Sequence, residues 1–345
     1  MSKSLGTGID PMGVIESFGA DAIRWTLLSQ TGSNQDLRYS DKKTEEARNF
    51  CNKIWNATRF VLMNAPGGKP DQPGALEPTD RWLLSRLHAT ESAVREAYET
   101  FDLQVAAQHL YRFWWSELCD WYIEVSKSRL ADSATRTTPQ WVLLTCIEAF
   151  VTMLHPLLPF VTEEVYSHLP IPNKAPFLMA ARWPELPASF AQPDVEADVE
   201  RAFEVTRALR ALRAEIELPA MQTIPLAYYV GDLRGGESIV RTQAWIETLE
   251  AGPPPEPDKA LAVTIEGVDL YLPIVGLVDV EKESARLDRE QEKLSAELAK
   301  LDQRLSNPQF VERAKPEVVE RERANAEDLR DRLSKIDARR AMFGG

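Results

Sequence analysis

The sequence has no run of about 18 apolar residues, which excludes an ordinary membrane-spanning helix. It also lacks a basic-then-apolar leader at its start, so the expectation is a cytoplasmic protein with no membrane partner. Cysteine is scarce: Cys51, Cys119 and Cys146 lie far apart and form no C-x-x-C pair. Reduced, buried thiols fit that spacing better than a disulfide framework. The four histidines, His88, His109, His155 and His168, are isolated, and no zinc site is expected. Positive charge is also in deficit. Forty Lys and Arg stand against 53 Asp and Glu, a net charge of −13, which argues against a uniformly basic nucleic-acid binder. A local basic face is still compatible with an acidic total. From 280 to 340 acidic and basic residues balance, so the acidic excess lies upstream.

What is present is the composition of a globular protein: 44% hydrophobic and 27% charged residues over 345 positions, enough for two or three domains with sizeable cores. The pattern is mainly α. Gly6, Gly8, Pro11, Gly13 and Gly19 punctuate an opening loop, and Ile23, Leu27 and Leu28 predict a short helix over 21–28. Asp41 is a good N-cap for a helix running to Asn64, with Phe50, Ile54, Ala57 and Val61 as its apolar stripe. The Pro- and Gly-rich stretch 66–78 is a linker or exposed loop. Helices then follow from about Thr79, over 103–130 and over 139–154, where Pro156 and Pro159 break the pattern before a fourth short helix. Their short connections favour an antiparallel bundle over 42–190, with Phe113, Trp114, Trp115 and Trp121 in its core.

A proline-rich irregular stretch ends at Pro193, and a helix over 194–217 follows. Residues 223–230 and 260–273 read as strands, with a short helix over 243–249 between them. This gives a small α/β module over 191–279. The tail, 280–345, places Leu287, Leu294, Leu298, Leu301 and Leu305 at heptad positions. Asn307-Pro308 interrupts the pattern, which resumes after Pro316 with Val319, Ala326, Leu329, Leu333 and Ile336. Two such helices predict an antiparallel coiled-coil hairpin.

The most chemically suggestive segment is Met1-Ser2-Lys3-Ser4-Leu5-Gly6. It resembles the lysine–serine signature of class I aminoacyl-tRNA synthetases. The continuation Gly6-Thr7-Gly8-Ile9-Asp10-Pro11, then Gly19-Ala20-Asp21-Ala22-Ile23-Arg24-Trp25 and Asp36-Leu37-Arg38-Tyr39-Ser40, is similar to the same family. Arg48-Asn49-Phe50-Cys51-Asn52-Lys53-Ile54-Trp55-Asn56-Ala57-Thr58-Arg59-Phe60 resembles the first anticodon-domain helix of the Val/Ile/Leu subgroup. Cys119-Asp120-Trp121-Tyr122-Ile123-Glu124 and the stretch from Leu154-His155-Pro156 to Glu163-Glu164 fit that domain too. The Pro273–Glu281 lead-in, the Leu305–Ala314 turn and the Pro316–Glu322 start of the return helix look like the C-terminal arm of valine–tRNA ligases.

The resemblance implies roles for individual residues. Activation of an amino acid expels pyrophosphate, and an ammonium on a mobile loop can meet the charge that builds on the phosphates. Lys3 is the catalytic candidate, with Ser2 and Ser4 beside it on ATP and with Mg2+ as the accompanying ion. On the helix over 41–64, Arg48, Asn52, Lys53, Asn56 and Phe60 share a face suited to loop bases and phosphates. A solvated polar face with Phe60 in the core is the competing reading. In the hairpin, Arg313, Lys315, Arg321 and Arg323 are candidates for phosphates at the outer corner of valine tRNA, with Arg330, Arg332, Arg339 and Arg340 beyond them. The family's second, two-histidine ATP signature and its editing domain have no counterpart in the 345 residues. The expectation is therefore a chain that supplies tRNA binding and the ATP loop to an N-terminal half absent from it, whether through a truncated gene, a split gene with a separately encoded half or a broken reading frame, and that does not activate valine alone. The alternative is a standalone, non-catalytic tRNA-binding or coiled-coil interaction protein derived from a synthetase.

Overall fold

The computed structural model describes residues 8–32, 39–219, 221–274, 277, 280–307 and 316–343. Two compact units divide the chain, residues 1–200 and 201–345.

The first unit is helical. Helix α1 spans Pro11–Phe18, where a loop was expected. The Asp-Pro pair explains it: Asp10 accepts from the amides of Met12 and Gly13, and Pro11 occupies the first turn, where no amide is needed. Gly19, at φ +93°, closes α1 and opens α2, Ala20–Leu28. Helix α3 spans Asp41–Asn64, and Ser40 rather than Asp41 is its N-cap residue. Its buried stripe is Thr44, Ala47, Phe50, Ile54, Ala57, Thr58 and Val61. Helix α4 covers Pro78–Glu99 and α5 covers Leu103–Arg112. The helical path continues to residue 131, but Phe113–Tyr122 winds as a π-helix before α6, Ile123–Ala131. Seven of its ten residues are buried, more than one α-helical face would carry. Trp114 stacks on Phe150 at 4.3 Å. Helices α7, Thr137–Leu154, and α8, Pro159–His168, complete the bundle. Trp115 departs from the expected core set: it is half-exposed, whereas Phe113, Trp114 and Trp121 are buried.

One buried polar cluster inside the bundle is fully paired. Asp80 is fully buried and takes both its oxygens to Arg129, at 2.7 and 3.0 Å, while the Tyr122 hydroxyl donates to it at 2.6 Å. Such a site stabilises only when every member is satisfied, because a lone buried charge costs several kcal/mol, about 3–5.

Helix α9 spans Pro193–Glu215. In the second unit the strands β1 (Ile224–Val230), β2 (Ile246–Ala251), β3 (Ala260–Ile265) and β4 (Val268–Pro273) form one mixed sheet in the order β2-β1-β4-β3. Strands β1 and β2 are parallel, and the other pairs are antiparallel. The expected helix over 243–249 is displaced: helix α10 is Glu237–Gln243, and residues 246–251 are β2. Trp245, at φ +54°, turns the chain out of the helix. Ile246 then pairs with Ile224 and Thr248 with Leu226, so tertiary pairing overrides a short ambiguous apolar run. Gly231, at φ +126°, sits where a Cβ would lie 2.6 Å from the Gly267 carbonyl, so only glycine fits.

Two long helices close the unit, α11 (Val280–Leu305) and α12 (Pro316–Phe343). Leu287, Leu294, Leu329 and Ile336 form their seam, with Leu298, Leu301 and Leu333 packed beside it. Partners across it run in opposite order along the two helices: Gln291 with Asp337, Asp302 with Arg330, and Arg304 with Glu322.

Candidate nucleic-acid interface

The surface of interest starts on α3. The apolar stripe of this helix faces the bundle, so residues at i, i+4 and i+8 from Arg48 lie on the opposite side. Asn52 and Asn56 are exposed, while Arg48, Lys53 and Phe60 are half-buried along the border with the core. Arg48 donates to Glu45 at 3.0 Å and lies 5.8 Å above the Phe18 ring. The Lys53 ammonium lies 5.0 Å over the Trp115 ring and 3.6 Å from Asp120. Phe60 is neither fully core nor open, so the two readings of it meet at the rim.

The structure adds Trp115, which the sequence assigned to the core, and further residues not named as contacts. Trp115 stacks on Tyr111 at 5.5 Å with planes 14° apart, and Tyr111 contacts Phe50 and Trp25. This aromatic ladder runs from core to surface beside Lys53. On the α3 surface, Arg59 and Trp55 are exposed next to Asn56. They line a cavity of about 230 Å3 with Thr58, Leu62, Val165 and His168. Only an exposed tryptophan and an arginine at helical spacing from Asn52 and Asn56 marked them in the sequence.

Long-range polar contacts fix the scaffold behind this surface. The Asp21 carboxylate accepts from the amides of Phe160 and Val161, at the start of α8, at 3.3 and 2.6 Å. Burial pushes this carboxyl above its usual range, opposed by those two hydrogen bonds and by Arg24. Arg24 donates to the carbonyls of Leu157 and Pro156. The segment around Asp21 is thereby clamped to the Leu154–Glu164 turn.

Ser2, Lys3, Ser4, Arg313 and Lys315 lie outside the described residues, as does 36–38 of the Asp36–Ser40 stretch. Arg321 and Arg323 are exposed on α12. Arg330 and Arg332 are partnered by Asp302 and Asp328. Among the described residues, no group of three or more His, Cys, Asp or Glu side chains is placed to hold a metal ion.

Comparison with known families gives this geometry a class. Residues 80–228 match the family described as the anticodon-binding domain of tRNA ligase, and residues 1–59 match tRNA synthetases class I (M). The class is therefore a class I aminoacyl-tRNA synthetase, and most of α3 falls in the second of these matches. Residues 279–344 match the valyl tRNA synthetase tRNA binding arm. The chain is 37% identical over 360 residues to a valine–tRNA ligase of Enterococcus faecalis, covering 99% of this chain and 40% of that protein. It is 37% identical over 341 residues to the enzyme of Thermotoga maritima, covering 98% and 39%. For Carboxydothermus hydrogenoformans the figures are 38% over 336 residues, 94% and 38%. The chain belongs to the valine–tRNA ligase family and corresponds to its C-terminal part. It spans about 40% of the length of these relatives.

Proposed function

We propose that this chain is the tRNA-binding part of an enzyme that attaches valine to its tRNA at the expense of ATP. Residues 1–41 supply the end of the catalytic domain, 42–190 a helical anticodon-binding domain, 191–279 a connecting α/β module and 280–345 an antiparallel coiled-coil arm. The observation that carries the reading is Lys53 seated over the Trp115 ring of the Trp115–Tyr111 stack, on the helix that exposes Asn52 and Asn56. Unpaired bases are held by aromatic stacking and by side-chain hydrogen bonds, and phosphates by ammonium and guanidinium groups. Arg48 and Phe60 extend this surface, and Arg313, Lys315, Arg321 and Arg323 supply phosphate contacts on the arm.

ATP, with Mg2+, supplies the leaving pyrophosphate in such an enzyme. Lys3 meets the phosphate charge, and Ser2 and Ser4 hold the oxygens. This assignment rests on the Met1–Gly6 motif.

Filter binding of valine tRNA to the purified chain tests the RNA surface. Lys53→Ala with Asn56→Ala is expected to weaken binding roughly tenfold, as lost base contacts do. Arg321→Glu with Arg323→Glu is expected to lower the salt dependence by about one unit of slope per phosphate lost. Equal affinity and unchanged salt slope in both variants, with helicity intact by circular dichroism, would overturn the assignment.

A further inference from the structure

A cavity of about 560 Å3 lies between α7 and the proline-rich stretch that follows α8, with Lys69 and Gln72 at its edge. Its volume falls within the range of ligand pockets, about 300–1,000 Å3. One stripe of α7 forms its wall: Trp141, Thr145, Glu148 and Thr152, spaced as residues of a single helix face are. Two helical threonines, Thr58 and Thr145, bury a hydroxyl without a partner, and Thr145 is the one on this wall. Thr26, Thr44, Thr152, Thr162 and Thr206 each donate to the carbonyl four residues earlier. The Thr145 oxygen is buried and has no hydrogen-bond partner. A buried hydroxyl left unmade is costly, and such a group in a native structure asks for an occupant.

The charges around it are held in place. Lys69 donates to one oxygen of Glu148 at 2.8 Å, leaving a carboxylate that still has acceptor capacity. The Lys174 ammonium donates to the carbonyls of Tyr166, Ser167 and Leu169. Arg182 and Glu185 line the exposed side. Three cations against two carboxylates make this a locally basic pocket in a chain of net charge −13.

We propose that this cavity binds a mononucleotide whose base carries an exocyclic amino group. Glu148 accepts from the amino group, Thr145 completes the ring-edge hydrogen bonds, and Trp141 offers an apolar wall to the base. Lys69 holds Glu148 in place, Arg182 meets the phosphate, and Lys174 stiffens the rim. The cavity shares no lining residue with the surface proposed for tRNA on α3.

Isothermal titration calorimetry of the purified chain with AMP, GMP, CMP, UMP and inorganic phosphate tests it. At least one amino-bearing nucleotide is expected to bind with a Kd below about 1 mM, with UMP roughly tenfold weaker. Thr145→Val preserves shape, Glu148→Gln removes the carboxylate and Arg182→Ala acts on an exposed side chain. Each is expected to weaken nucleotide binding roughly five- to tenfold while tRNA affinity stays unchanged. Absence of binding by all four nucleotides overturns the proposal. So does equal binding of UMP, or of phosphate alone, or nucleotide affinity unchanged in the three variants.

Discussion

The Asp21 carboxylate caps α8 although it belongs to α2, and its protonation is biased by where it sits. Because burial raises its pKa above 3.8, the stability gained from the shift is fully present below that value and is lost as pH rises through the folded pKa, while the two amide hydrogen bonds remain. A neutral side chain with one acceptor oxygen should therefore keep part of the cap at pH 7. Asp21→Asn is expected to cost less than Asp21→Ala, which removes the cap at about 1 kcal/mol or more. Urea melts at pH 7 measure the difference, and an equal loss in both variants would contradict the role. The thiols behave alike for a similar reason. Burial pushes Cys51 and Cys119 up to about 12, and Cys146 further still. The thiolate is the reactive form, so all three are expected to resist a thiol reagent at pH 8 in the folded chain and to react together in denaturant. A rapidly titrating thiol in native buffer would refute this.

At the scale of elements, the seam between α11 and α12 depends on few large side chains. Leu294 is 4% exposed and Leu329 7%. Leu294→Ala is expected to cost about 2–5 kcal/mol, the usual range for a buried leucine, seen as an earlier helical melting transition by circular dichroism. Elements of this kind were legible in the sequence because their apolar positions repeat over many residues, as in α3 with Phe50, Ile54, Ala57 and Val61. Elements of one or two turns were not. Asp10-Pro11 signals α1 only when read as a cap, since the surrounding glycines outweigh it. β2 depends on pairing with β1, more than twenty positions away. The candidate site divides in the same way. The shared face of Arg48, Asn52 and Asn56 follows from helical periodicity. The approach of Lys53 to Trp115 joins residues 62 positions apart across two helices, and no local pattern encodes it.

At the scale of the whole molecule, an acidic chain binds an anion only through local surfaces, so its association with tRNA should fall steeply with salt. The described residues and the sequence around them hold no two-histidine ATP signature. The isolated chain is therefore expected to give no valine-dependent pyrophosphate exchange, an assay in which measurable exchange would disprove the division of labour proposed above. The π-helix over 113–122 sets a further condition on the bundle. Its wider turns delay the rotation of the chain, so α5 and α6 present their faces out of phase with a continuous α-helix. Removing one residue there and restoring ordinary winding would swing everything downstream by about 100°. Arg129 would leave Asp80, and a fully buried carboxylate would lose its counter-charge. The length of the segment is thus tied to a contact that lies beyond it, the Arg129–Asp80 pair.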